Sequence, residues 1–223
     1  GYLTPALRHW QKLGERTRLS VDANYLRADG DYPFTLKNGS LVTEEERINS
    51  DVESWQGEVN LFHTFRDDSE LSAKAYYYKS ERGLPGAVIL YNSTSDERLW
   101  DENYFAQARY KKVFSSKWSL QAQGKYNYSW NKYEDLGPQY TSGKQTDTNR
   151  QKEYYLSASA LYRPIDWLTF SLSQDGAINK LHTNGLNSPE PTRYTSLTAL
   201  NARIQTKQLK VSGTVVATYI TEE

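Results

Sequence analysis

Few groups in this chain could carry out covalent chemistry. There is no Cys and there are three His, His9, His63 and His182. Thiolate chemistry is therefore absent, and a zinc site or a nucleophile triad would have to gather residues from distant segments. Asp175 and His182 share one segment, the best acid–base pair that a surface protease could use. Asp29, Asp31, Asp96, Asp101, Asp135 and Asp147 offer hard oxygen ligands for Ca²⁺, but their spacing matches no defined calcium loop. The residues point away from an enzyme, with no cofactor required.

The elements that would position these groups are strands. From Trp118 to Trp130 every even position is apolar, aromatic or small and every odd one is polar, the period of a strand with two different faces. Trp118, Leu120, Ala122, Gly124, Tyr126, Tyr128 and Trp130 share one face, with rings at both limits. The same alternation recurs over Thr17–Arg27, Ser54–Phe65, Leu71–Tyr77, Tyr104–Lys111, Leu156–Tyr162, Leu168–Leu172, Tyr194–Gln205 and Leu209–Ile220, and less clearly over Pro5–Leu13. That makes nine strands, or ten with the first.

Between them, short turns at Leu13–Arg16, Arg66–Glu70, Phe114–Lys117, Pro164–Asp166 and Thr206–Gln208 alternate with long polar loops. The loops cover Ala28–Glu53, Ser80–Asp101, Asn131–Lys152 and Asp175–Thr192. Long strands, ringed limits and one-sided long loops are the pattern of an antiparallel up-and-down transmembrane β-barrel, tight on the periplasmic side and long outside. A mean hydropathy of −0.81 excludes transmembrane helices but not such a barrel, since only alternate residues meet lipid. Lys plus Arg and Asp plus Glu both number 27, so no net field draws nucleic acid. The 18 Tyr and 6 Trp suit a boundary between hydrocarbon and water. Opposite the lipid side, Arg18, Asp22, Glu58, Asn60, Lys74, Arg109 and Lys125 face a lumen, a polar row that Phe62 and Phe105 interrupt. His63 falls on the lipid side near a turn, an interfacial position.

The loops carry a resemblance. Asp29-Gly30-Asp31-Tyr32-Pro33-Phe34 with Lys37-Asn38-Gly39, then Ser80-Glu81-Arg82-Gly83-Leu84-Pro85-Gly86, then Trp100-Asp101-Glu102-Asn103 resemble the barrel of TonB-dependent outer-membrane receptors. The likeness is to the cobalamin-receptor type of Bacteroides-like bacteria. It implies a barrel of about 22 strands around an amino-terminal plug. Residues 1–223 would then be a partial barrel, a fragment from its first half without plug or TonB box.

The resemblance also implies an outer-membrane location, import of a large scarce nutrient, TonB engaged through the plug, and a surface lipoprotein partner. Cobalamin is the first ligand expected, with haem or a ferric siderophore next. Ligand contacts would come from the long loops, where Tyr32, Phe34, Tyr91, Tyr133, Tyr140 and His182 could stack on or cap a large flat molecule. The competing expectation is a self-contained small barrel acting as a surface protease or adhesin.

Overall fold

The computed structural model describes residues 1–87, 95–137, 139–185 and 190–223. The described residues form strands and no helix: β1 (Tyr2–Leu3), β2 (Ala6–Lys12), β3 (Thr17–Ala28), β4 (Tyr32–Asn38), β5 (Leu41–Arg47), β6 (Val52–Thr64), β7 (Glu70–Leu84), β8 (Glu97–Val113), β9 (Trp118–Asp135), β10 (Gln145–Ile165), β11 (Leu168–Thr183), β12 (Thr192–Gln205) and β13 (Lys210–Glu222). All but β4 and β5 join one antiparallel sheet, in which β1 and β2 both pair with β3, β3 pairs with β6, and from β6 to β13 each strand pairs with the next. The sheet is open, with β13 paired to β12 alone and β1 and β2 to β3 alone among the described residues.

The first strand, weakest in its alternation, is real but broken. Leu3 faces Arg27 and Ala6 faces Asn24, so β1 and β2 keep one register along β3. Pro5 sits in the break; it has no N–H to give the ladder, although its carbonyl still accepts from the Tyr25 N–H at 3.0 Å. Counting β1 and β2 as one, ten strands lie side by side, as the longer of the two sequence counts expects.

No hydrophobic side chain among the described residues is buried. The sheet is a single layer, held by its hydrogen-bond ladder and by rows of side chains across it. One row runs Leu61, Ala73, Ala108, Gly124, Leu156 and Gly176 over six strands. On the opposite face Asn60, Lys74, Gln107 and Lys125 stand in line. Leu156 is 68% exposed, Val215 72% and Tyr219 66%, all on the apolar face. So much one-sided apolar surface is stable only against a non-aqueous medium.

Two belts of rings bound that face. Near the short turns Trp118 stacks on Tyr162 at 4.3 Å, and Phe65 lies edge-on to His63 at 4.5 Å. His63 Nδ1 also lies 2.8 Å from the Thr17 hydroxyl, so it is a paired boundary residue. Toward the other end Tyr25 packs on Trp55 at 4.3 Å, Tyr104 on Tyr128 at 4.7 Å and Tyr126 on Tyr154 at 5.1 Å.

The long loops are shorter than the alternation implies. The segment Ala28–Glu53 contains a hairpin, β4 on β5, which turns at Gly39 with φ 63°. Within Ser80–Asp101 the ladder runs on to Leu84 and restarts at Glu97; within Asn131–Lys152 it runs on to Asp135 and restarts at Gln145; within Asp175–Thr192 it runs on to Thr183. The turn expected at Pro164–Asp166 shifts to Asp166–Trp167, because β10 continues through a register irregularity to Ile165. β9 has 18 residues, against the roughly 9–11 that cross a bilayer. Its upper end therefore projects beyond the membrane, where both faces are wet and alternation has no cause.

Candidate functional site at the loop end and the polar face

Two features of the sheet could meet a ligand: the projecting strand ends and the polar face beneath them. The ends are organised by Asn49, whose φ is 53°. Its side-chain amide donates to the carbonyls of Ser95 at 2.6 Å, Glu97 at 2.8 Å and Leu84 at 3.2 Å. This ties the exit of the β4–β5 hairpin to the end of β7 and the start of β8. Beside it Arg98 donates to both oxygens of Asp51, at 3.1 and 2.8 Å, and to Glu81 at 2.9 Å. The guanidinium holds the Asp51 carboxyl below the usual carboxylate range, and Asp51 raises Arg98 in return.

Two glycines let the strands close on this latch. A Cβ on Gly83 would stand 2.4 Å from the Asn49 carbonyl oxygen, and one on Gly30 would stand 2.1 Å from that of Ser50. Gly30 also has φ 71°, a conformation that side chains disfavour. Arg47 completes the tie with a 2.8 Å bond to the Gly86 carbonyl.

A second cluster lies across β9. Asp135, 9% exposed, accepts from the Tyr140 hydroxyl at 2.8 Å and from Gln139 at 3.1 Å. Burial, and then a hydrogen bond to Glu97, push the Tyr133 phenol up; the bond to Asp135 pushes Tyr140 up. Both phenols stay protonated and act as donors.

Below, the polar face holds Tyr76 stacked on Phe105 at 5.0 Å, with the Lys125 ammonium 5.3 Å from the Phe105 ring. Lys74 pairs with Glu58 at 2.8 Å, and Asn60 donates to that same carboxylate at 2.9 Å. A groove of about 370 Å³ runs between Asn60, Lys74, Gln107, Arg109 and Lys125. The interruption of the polar row at Phe105 is thus an aromatic platform carrying a cation.

Of the sequence candidates, Tyr32 and Phe34 sit together on the hairpin with ring centroids 6.4 Å apart, while Tyr140 bonds to Asp135 and Tyr133 to Glu97. Tyr91 lies outside the described residues. His182 is apart from both groups: it faces Arg150 across the ladder and pairs with Glu190 at 3.0 Å. By register it shares the face of Trp130, which is the apolar face lower down. Among the candidate Asp residues, Asp101 pairs with Arg82 at 3.2 Å, and no group of three or more acidic or His side chains able to hold a metal occurs among the described residues. Asp175 sits within β11 rather than in a loop. Sequence reasoning missed the latch, although Asn38-Gly39 is a hairpin signal that could have exposed β4 and β5.

No protein-family model matches the chain, and no curated protein does. Solved structures match over nearly all of it. The siderophore receptor PiuA from Acinetobacter baumannii is similar at 8% identity with a TM-score of 0.64, over 99% of this chain and 44% of that one. The copper transporter OprC is similar at 11% identity and TM-score 0.53, over 99% and 39%. The ferric citrate transporter FecA, unliganded, is similar at 11% and 0.51, over 99% and 38%. The chain spans less than half the length of each. At these identities the shared property is the fold, an antiparallel up-and-down sheet of the barrel-wall kind. The proteins that share it are receptors and transporters, not enzymes.

Proposed function

We propose that this chain belongs to the barrel wall of a TonB-dependent outer-membrane receptor that imports a large, scarce nutrient. The observation that carries the reading is the match of 99% of the chain to the walls of proteins named for siderophore, copper and ferric citrate uptake. The chemistry agrees with it. A lipid-facing wall needs no buried apolar core, and a transport path needs a polar inner face, here the groove of Asn60, Lys74 and Arg109 under the Tyr76–Phe105 platform.

The plug, its TonB contact and a surface lipoprotein partner follow from the likeness of the loop motifs. So does cobalamin as first ligand, with haem and ferric siderophores as its competitors. Tyr32 and Phe34 offer adjacent rings on a hairpin latched to the strand ends, and Tyr133 and Tyr140, whose hydroxyls donate to Glu97 and Asp135, offer phenol oxygens as acceptors; Tyr91 and, from the outward face of β11, His182 complete the candidate set. A flat macrocycle would stack on the first pair and hydrogen-bond to the second.

The test is titration of the full-length parent receptor, purified from outer membranes, with cyanocobalamin, haemin and a ferric siderophore, read by Trp fluorescence. One of the three is expected to bind with a Kd on the order of micromolar or tighter, and Tyr32→Ala with Phe34→Ala is expected to weaken it by about tenfold or more. Binding of none overturns the nutrient assignment.

A further inference from the structure

The outward face of β10 and β11 carries a charge arrangement that the nutrient path does not use. Lys152 stands directly across the ladder from Lys180, and two residues further out Arg150 stands across from His182. All four are exposed. Directly opposed like charges destabilise a sheet, and here the Lys152 and Lys180 ammoniums are directly opposed, with the Arg150 guanidinium in the next row. Of the acids of this face, Glu190 pairs with His182 at 3.0 Å within the cluster, Glu134 pairs with Lys132 at 3.0 Å and Lys144 at 3.6 Å, and Glu102 stands beyond Trp130 in the row of Arg150 and bonds to Tyr77. Among the described residues Arg150, Lys152 and Lys180 have no ion pair.

The level of these cations identifies their environment. Lys152 faces Tyr128 of the upper ring belt, so the cluster begins where hydrocarbon ends. It is also at the end of the strands opposite the short turns, which in this fold is the outer leaflet. Immediately below, about 7 Å along the strand, opens an apolar groove of about 470 Å³ between Tyr126, Tyr154, Leu156, Ile178, Tyr194 and Tyr219. Gly176, opposite Leu156 and with open space where a Cβ would stand, leaves its floor low.

We propose that this face binds one phosphorylated glycolipid of the lipid A kind from the outer leaflet. Its phosphate monoester would lie among Arg150, Lys152 and Lys180, and an acyl chain would lie in the groove along Leu156 over Gly176. A monoester carries up to two charges and three acceptor oxygens, which Arg150, Lys152 and Lys180 can share; a phosphodiester carries one charge. The lipid relieves the Lys152–Lys180 like-charge pair and covers an apolar hollow with one molecule. This inference rests on the membrane orientation of the proposed receptor and on nothing about its nutrient.

The test uses the full-length receptor, stripped of lipid in detergent and placed in nanodiscs of a neutral lipid doped with bis-phosphorylated lipid A, with dephosphorylated lipid A, or with phosphatidylglycerol. Native mass spectrometry counts the lipid retained. The wild type is expected to keep bis-phosphorylated lipid A and to lose the other two. Arg150→Gln, Lys152→Gln and Lys180→Gln together are expected to weaken retention on the order of a hundredfold. Gly176→Leu, which fills the groove and leaves the cations, is expected to weaken it as well. Unchanged retention by the triple variant, in protein whose gel mobility still shifts on heating as a folded barrel does, overturns the site. Equal retention of phosphatidylglycerol or of dephosphorylated lipid overturns the monoester assignment. Nutrient titration of the same preparation reports separately, so loss of the lipid site with intact nutrient binding defeats this inference alone.

Discussion

Below Trp130, β9 alternates rings and small apolar residues with Gln, Lys and Asn. Above it, Asn131, Lys132, Tyr133, Glu134 and Asp135 show no such division. The backbone does not register the change, since residues 118–135 stay in one unbroken ladder with β10. What changes is the medium. Along the lower stretch, the outward face meets hydrocarbon and can hold only apolar groups, while along the upper stretch both faces meet water and order comes from specific bonds. The lower stretch is fixed by a rule applied to every residue, and the upper stretch by a few side chains, Asn49, Arg98 and Asp135 among them.

The sharpest way to break this contrast is to put a charge on each face of one lower strand. Leu172 is half exposed on the apolar face, in line with Leu200, Ala160 and Leu120. Ser171 beside it faces the polar side opposite Asn201. Leu172→Arg, one row inside the Trp118–Tyr162 belt, is expected to cost about 2 kcal/mol, between the interface and midplane values, and Ser171→Arg less than about 1 kcal/mol. Denaturant unfolding in lipid vesicles measures both. Equal costs would mean that the apolar face does not meet lipid.

At the upper end the corresponding change is Arg98→Ala. It leaves Asp51 and Glu81 without their shared cation and is expected to cost about 1–2 kcal/mol locally, because the groups are partly exposed. The loss should appear as faster hydrogen exchange in β4 and β5, with the exchange of β6 to β9 unchanged. The acid limit of the latch follows from the sign of the Asp51 shift. Its folded pKa lies below the unfolded value, so its contribution is complete above the ordinary carboxylate range and disappears as pH falls through the lowered value. Hairpin protection is expected to hold flat from pH 7 down to about 4 and to fall only below that. A fall centred near pH 6.5 would point to His instead.

The same contrast explains what was legible in the sequence. The class, the turns and the strand count could be read because lipid imposes period two on Leu19, Val21 and Ala23 as strictly as on Trp118 to Trp130. The projecting ends could not, because a strand wet on both faces has the composition of a loop: Lys132, Glu134, Thr146 and Thr148 pair across β9 and β10 with no apolar side. The candidate rings were half legible. Tyr140 reaches Asp135 with its own N–H bonded to the Gly137 carbonyl at 3.2 Å, a local geometry that residue types alone do not announce. The outward cations went unread because Lys152 and Lys180 fell in segments that looked like loops, where register has no meaning.

The smallest expected effect is at the opposite end of the barrel, where a polar cluster is exposed to water. In the turn between β6 and β7, Asp67 accepts from the Ser69 hydroxyl at 2.6 Å, the Ser69 N–H at 3.2 Å and the Lys112 ammonium at 2.6 Å. Lys112 donation, then the Ser69 bonds, hold its carboxyl well below the usual range. The pair is a solvent-facing one, and water replaces Lys112 at little cost. Asp67→Asn keeps an oxygen for Ser69 and removes only the charge, so its melting temperature is expected to match the wild type at low and high salt alike. Asp67→Ala removes the turn bonds as well. It leaves Ser69, 2% exposed, without its acceptor, and is expected to lower stability measurably more than Asp67→Asn. If the two variants are equally harmful, the ion pair rather than the turn holds this end, and the difference between specific bonds above and plain strand connection below would disappear.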